Sequence, residues 1–398
     1  NSFGHMERWL KHPEYKHLAE CPDGFTWPWG VFNPEPFSLA PEHPGSFKLI
    51  EELYEELLPH FESPLFNVGC DETLDLGHGL SEALCEKQGR SKVYFDFVMR
   101  IYDEVKKHGR HMLFWADIVA EHPELLSQFP EDIIALEWGY ESGHPFEERG
   151  HLFAEANIAF YVCPGTSSWC SIVGRTQNML ENLYDAAHQG QKHGACGYLI
   201  TDWGDQGHWQ YLPFSYPGLL AGSAFAWNTE AHRNDDFISA LNLHVFFDEA
   251  EEMGALCHDL GNLYLETTDI KNQTRLFQWI FKEAEHSAFK DISEKKAELL
   301  EDKLKGFLSR LSKHRMDIED SAIVESEFQN AIRTLNYGIH RALAVQQNKI
   351  KDSKTQQQLN EMKQNICKHH RHLWLSRNRE GGLQDSLQWI HKNSTLAE

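Results

Sequence analysis

Between residue 46 and about residue 230, short apolar runs of strand type alternate with stretches whose apolar residues recur at helical spacing. The strand-type runs are Leu65 to Cys70, His111 to Ala116, Ile133 to Trp138, Ile158 to Cys163 and Ala195 to Thr201. Residues 47–54 and Val93 to Lys107 carry apolar residues at i, i+3 and i+4, the pattern of helices with one buried face. Strand and helix in turn predict a parallel sheet, because a parallel neighbour needs a crossover connection. An open doubly wound sheet and a closed barrel share that alternation, and the strand ends separate them. Four of the five runs finish in acid or tryptophan, at Asp71-Glu72, Trp115-Ala116-Asp117, Glu137-Trp138 and Asp202-Trp203-Gly204-Asp205. A barrel brings these ends to one mouth, whereas an open sheet strings them along a line. The expectation is an α/β fold, a (β/α)8 TIM-type barrel.

The flanks differ in character. Asn1 to Pro36 is irregular, with Pro22, Trp27, Pro28, Trp29 and Pro34, and reads as a long loop over the mouth. Beyond Arg233 the stretches Leu263 to His286, Ala288 to Arg310, Ser321 to Gln347 and Ser353 to Trp374 are long, charged and helical. With Asn234-Asp235-Asp236 as the boundary mark, residues 1–232 are expected to form the catalytic barrel portion and 233–398 an α-helical C-terminal domain. Asn1-Ser2-Phe3-Gly4-His5 is neither an initiator methionine nor a signal peptide and reads as the middle of a longer chain. Five strands cannot close a barrel of that geometry. The barrel is therefore expected to lack its first strands in this chain, and its open edges to associate into a homo-oligomer.

Composition narrows the partners. The 398 residues carry a formal charge of -23, a field that repels nucleic acid and anionic membranes and suits a neutral substrate. No run of about 18 apolar residues is present, so no membrane span is expected. The eight cysteines show no CxxC pair and no dense framework. Cys70, Cys163 and Cys196 sit in apolar runs, where a thiol behaves as a small hydrophobe, so a reducing, cytoplasmic location is expected.

The sharpest chemical signal is Phe66-Asn67-Val68-Gly69-Cys70-Asp71-Glu72-Thr73. Two adjacent carboxylates where an apolar strand leaves a sheet are unfavourable unless they are paired or functional, helix capping being the plainer alternative. The stretch resembles the signature of family 20 glycoside hydrolases, His-x-Gly-Gly-Asp-Glu at the end of the fourth barrel strand. Asn1-Ser2-Phe3-Gly4-His5 is similar to that family's Asp-x-Pro-Gly-His after the third strand, and Trp203-Gly204-Asp205 to its Trp-x-Glu after the eighth. The resemblance covers roughly residues 1 to 230 and leaves the helical remainder outside it.

The resemblance implies a retaining β-N-acetylhexosaminidase acting by substrate assistance on a terminal β-linked N-acetylhexosamine of a glycan or glycoconjugate, with no cofactor and no metal. The substrate's own 2-acetamido oxygen would attack C1 and form an oxazolinium intermediate. Adjacent strand residues point to opposite faces, so such a pair cannot easily flank one bond as nucleophile and acid, and substrate assistance removes that need. Glu72 would act as general acid and then base, and Asp71 would orient the acetamide and offset its charge. His5 would buttress Glu72, and Asp205 would accept from the 4- or 6-hydroxyl. Nine of the twelve tryptophans precede residue 231; Trp115, Trp138 and Trp203 are expected as pocket walls, with Trp9 and Trp227 read as core. Trp169 is also expected to face the mouth. Asn1, Asn67 and Cys70 stand where the family has Asp, His and Gly. The family's Tyr-x-Asp after the seventh strand has no match, which makes Tyr140 and Tyr161 the candidates for donating to the acetamido oxygen. Two other readings stay open: a metal-dependent barrel hydrolase or isomerase using the same strand-end acids, and a non-catalytic sugar-binding homologue.

Overall fold

In a computed structural model, which describes residues 1–268 and 270–392, the chain divides into two compact units. The first comprises Asn1–Trp138, Pro145–Cys163 and Gln189–Leu199; the second comprises Gly139–His144, Pro164–His188 and the chain from Ile200 onward. Residue 269 and residues 393–398 of the expected helical domain lie outside the described residues.

The first unit opens with a small antiparallel hairpin, β1 (Phe25–Thr26) and β2 (Phe32–Asn33), within an otherwise irregular N-terminal stretch. The five expected strands then appear as β3 (Leu65–Asn67), β4 (His111–Trp115), β5 (Ile134–Trp138), β6 (Ala159–Cys163) and β7 (Gly197–Tyr198). They form one parallel sheet in chain order, with helices Arg90–Lys107 and Phe146–Glu155 among the crossovers. The two outer strands are shorter than the apolar runs suggest. β3 stops at Asn67 because Gly69 and Cys70 turn to φ values of 78° and 71°, which no strand holds. Helix Pro44–Leu57 begins as its sequence demands: Pro44 fills the first turn and the His43 ring accepts from the Gly45 N–H at 3.1 Å.

Register sorts the side chains by face. Trp115 pairs with Leu136, Leu136 with Tyr161 and Tyr161 with Gly197, while Trp138 pairs with Cys163. These residues therefore share one face of the sheet. The opposite face carries Phe114, which stacks on Phe129 at 5.4 Å, and Phe160, which stacks on Phe153 of the preceding helix at 5.6 Å.

The second unit is built largely of helices, among them Tyr216–His232, Arg275–Phe281, Glu294–Leu311, Ser321–Gln346 and Ser353–Arg377. Along Ser321–Gln346 the buried Val324, Phe328, Ala331, Leu335, Ile339 and Ala342 recur every three or four residues and supply the inward face. The expected continuous helix from Leu263 to His286 is broken. A short turn at Leu263–Glu266 ends, Asn272 takes φ 58°, and Thr274 restarts a helix by accepting from the Phe277 N–H at 3.0 Å.

Three single-residue expectations are corrected. Trp9 and Trp227 are not core; they are 39% and 85% exposed, Trp227 lying beside Asn228, where the helix loses helical dihedrals. All eight cysteines are free thiols, but Cys196 is exposed rather than buried, because the strand it was expected to join begins one residue later. Among the described residues no helix is long and apolar enough to cross a membrane.

Candidate active site

The loop after β3 is folded against backbone preference. Gly69, Cys70 and Glu72 all have positive φ (78°, 71° and 48°), and so does His5 at 54°. Non-glycine residues in that region are strained by about 1–2 kcal/mol each, so the surroundings must impose it. Asn1 Oδ1 accepts from the Cys70 N–H at 2.8 Å, and the Tyr94 hydroxyl donates to the Cys70 carbonyl at 2.8 Å. The Glu72 N–H donates to Asp117 Oδ2 at 3.0 Å. Two glycines let the segments meet. A Cβ on Gly4 would stand 2.3 Å from the Asp71 carbonyl oxygen, and one on Gly69 would stand 1.9 Å from Asn1 Oδ1.

This loop changes the relation between the two acids. As strand residues they would point apart; past the end of β3, in left-handed turns, both carboxylates converge on one imidazole. His5 Nε2 lies 3.3 Å from Asp71 Oδ2 and 3.3 Å from Glu72 Oε2. Asn1 Nδ2 donates to the other Asp71 oxygen at 3.0 Å. Burial pulls the His5 pKa down, but hydrogen bonding to Asp71 and Glu72 and their charges outweigh it, raising His5 to about 10. For Asp71, burial opposes ionisation, yet the contacts from His5 and Asn1 hold its carboxyl below the usual range. Asp117 goes the other way: burial, with the charges of Asp71 and Glu72, pushes it up to about 7, and only backbone N–H donors offset this. Its Oδ1 is buried without a hydrogen-bond partner among the described residues.

His5, Asp71 and Glu72 are also the one set among the described residues that could hold a metal ion, their ligand atoms lying within 4.8 Å of one another. Both carboxylates favour a proton on the His5 ring, which a metal would have to displace.

The remaining expected residues fall into two groups. Trp115 (8% exposed), Trp138 and Tyr161 are in the first unit, on the shared face of β4 to β6, with the Tyr161 ring lying over Gly197, where a Cβ would come to 2.4 Å. In the second unit Tyr140, Trp169 and Trp203 meet: the Trp203 indole N–H donates to the Tyr140 hydroxyl at 2.9 Å, and the Tyr140 and Trp169 rings pack edge to face at 5.0 Å. Trp169 in turn donates to Asn272 Oδ1 at 2.9 Å. Asp205 is exposed, two residues beyond Trp203.

Sequence reasoning misses three supports of the loop. Asp117 is visible as a strand-end acid, but its hold on the Glu72 amide is not. Asn1 reads only as a changed motif residue. Tyr94 looks like any aromatic on a buried helix face. Asn67 proves local, accepting from the Gly69 N–H at 2.9 Å.

Residues 2–228 match the family described as glycosyl hydrolase family 20, catalytic domain. The chain belongs to that family. Among curated relatives, Hexosaminidase D of Homo sapiens is 24% identical over 243 residues, which cover 55% of this chain and 48% of the relative. Hexosaminidase D of Bos taurus is 25% identical over 274 residues, 61% of this chain and 75% of the relative. The family 20 chain thus spans about half the length of the human relative. Among solved structures, the chitobiase of Flavobacterium johnsoniae aligns at 14% identity with a TM-score of 0.38, over 98% of this chain and 65% of that one. His5, Asp71, Glu72, Asp117 and every other expected site residue up to Asp205 fall inside the matched segment.

Proposed function

We propose that this family 20 chain carries the catalytic centre of a retaining β-N-acetylhexosaminidase that removes a terminal β-linked N-acetylhexosamine from glycans with the help of the substrate's own acetamide. The observation that carries the reading is the convergence of Asp71 and Glu72 on one imidazole, 3.3 Å from each. A glycosidase with its own nucleophile needs two carboxylates facing each other across the scissile bond, roughly 5 Å apart. Here both carboxylates instead turn toward one histidine nitrogen, an arrangement that leaves the nucleophile to the substrate.

In the first step the acetamido oxygen bonds to C1 as the C1 to leaving-oxygen bond breaks, and Glu72 gives the leaving oxygen its proton. Asp71, held ionised by His5 and Asn1, accepts from the acetamide N–H and offsets the positive charge of the oxazolinium ion. In the second step Glu72 takes a proton from water, the water oxygen bonds to C1, and the ring opens to restore the acetamide with the configuration retained. Trp115, Trp138, Tyr140, Tyr161, Trp169, Trp203 and Asp205 are assigned to sugar binding by the same resemblance. We read the five strands as part of a (β/α)8 barrel spanning residues 1–232, with 233–398 as the helical domain; a family match ending at residue 228 supports that boundary.

Turnover of an aryl N-acetyl-β-glucosaminide is expected to fall on the order of 10²- to 10⁴-fold in Glu72→Gln. The matching glucoside, which has no amide, is expected not to react. Unchanged turnover in Glu72→Gln, or an equal rate on the glucoside, removes the reading. The three grouped ligand atoms give the metal-dependent alternative its one support; loss of activity in a chelator, regained with a divalent ion, would favour it.

A further inference from the structure

The tip of the β1–β2 hairpin presents a feature that the proposed chemistry does not use. Trp27 and Trp29 stack with ring centroids 5.0 Å apart and planes only 8° from parallel. Trp29 is 65% exposed, and Val31 and Phe32 beside it are 57% and 59% exposed. An apolar cluster of this kind left in water is unfavourable for folding alone and marks a binding surface.

The tip is rigid. Pro28 fixes its own φ at the second position of a turn closed by the Gly30 N–H donating to the Trp27 carbonyl at 2.8 Å, and the Trp27 N–H donates to the Val31 carbonyl at 2.8 Å. Gly30, at φ 87°, takes a conformation that a side chain would strain. Two indoles held this way lose little freedom when a ligand lands on them.

The platform is also tied to the catalytic cluster within the first unit. Trp27 packs edge-on against Phe37 at 5.2 Å, and Phe37 packs edge-on against the His5 ring at 4.7 Å. The small core of Cys21, Phe25 and Phe37 that roots the hairpin also holds Leu74, two residues past Glu72. An unbroken run of ring contacts thus leads from the histidine that grips both carboxylates to the exposed face of Trp29. The shallow, flat, uncharged platform matches the C–H face of a pyranose ring, and a chain of charge -23 favours a neutral ligand over an anionic lipid surface.

We propose that the Trp27–Trp29 platform binds a neutral sugar residue on the leaving-group side of the scissile bond, so that the preferred substrate is a β-linked oligosaccharide and not a simple glycoside. The assignment rests on the hexosaminidase reading, and the experiment separates the two. Trp29→Ala, at an exposed turn tip, is compared with the parent chain on methyl N-acetyl-β-glucosaminide and on the β-1,4-linked trisaccharide of N-acetylglucosamine. Expected is a loss of about tenfold in kcat/KM for the trisaccharide, with the methyl glycoside unchanged. Equal rates for the two proteins on both substrates, or equal losses on both, overturn the platform. If the parent turns over neither, the hexosaminidase reading fails, and calorimetric titration of the trisaccharide into both proteins still decides the platform. Weaker binding to Trp29→Ala supports a sugar site, and identical binding, or none to either protein, overturns it. A shift from dimer to monomer in sedimentation of Trp29→Ala assigns the surface to a second copy and overturns it as well.

Discussion

At the scale of single residues the site is a negotiation between strain and charge. Asp117 Oδ2 holds the Glu72 amide in its left-handed turn, so Asp117→Ala is expected to lower kcat by about 10- to 100-fold with little change in KM, and Asp117→Asn, which keeps an acceptor, to restore most of it. A steady-state kcat and KM comparison of the two variants checks this; equal losses in both would mean the charge matters and the hold does not. Gly69→Ala adds a side chain at φ 78° and 1.9 Å from Asn1 Oδ1, and is expected to reduce unfolding free energy by about 1–3 kcal/mol in urea titrations. His5 sets a pH dependence. Its folded pKa, about 10, exceeds the unfolded value near 6.5, so its contribution is complete below pH 6.5 and is lost as pH rises toward 10. In His5→Gln the decline in stability over that window is expected to flatten. Asp71 and Glu72 are legible in the sequence because acids at a strand end are unfavourable without a purpose. Their common direction is not, because it depends on φ values that a Cys and a Glu do not advertise.

At the scale of elements, what the sequence reveals follows the length and regularity of each pattern. Ser321–Gln346 and Arg90–Lys107 match their apolar repeats to within a few residues, since a helix of that length sums many weak preferences. The central strands β4, β5 and β6 are equally plain, while β3 and β7 shrink at the sheet's margins where loop demands prevail. The break between Leu263 and Arg275 is hidden because tertiary bonds cause it: Trp169 and Glu141 both claim Asn272. Glu141 also meets the Arg175 guanidinium in a two-pronged contact of 2.9 and 2.7 Å, with Arg175 only 1% exposed. Arg175→Leu leaves the partly exposed Glu141 carboxylate without its cation and is expected to destabilise the second unit by about 1–3 kcal/mol, measured by urea unfolding. Replacing both partners by leucine is expected to recover part of that loss.

At the scale of the molecule, charge and titration set the working window. His370, wedged between the Tyr211 hydroxyl and Ser386 Oγ at 3.1 and 3.0 Å, is pushed down to about 3 by burial. The unfolded chain takes up that proton first, so stability falls as pH drops below about 6.5. With His5 acting on the alkaline side, these two histidines favour near-neutral pH. The charge of -23 repels itself, and added sodium chloride is expected to raise the melting temperature until screening saturates; a fall across that range would contradict it. The thiols offer a practical handle. Of eight cysteines, Cys196 alone is exposed, at the start of the last sheet strand. A maleimide dye at limiting dose should mark this one position first, giving a reporter at the sheet margin by which its opening and closing can be followed in a native, otherwise unaltered chain.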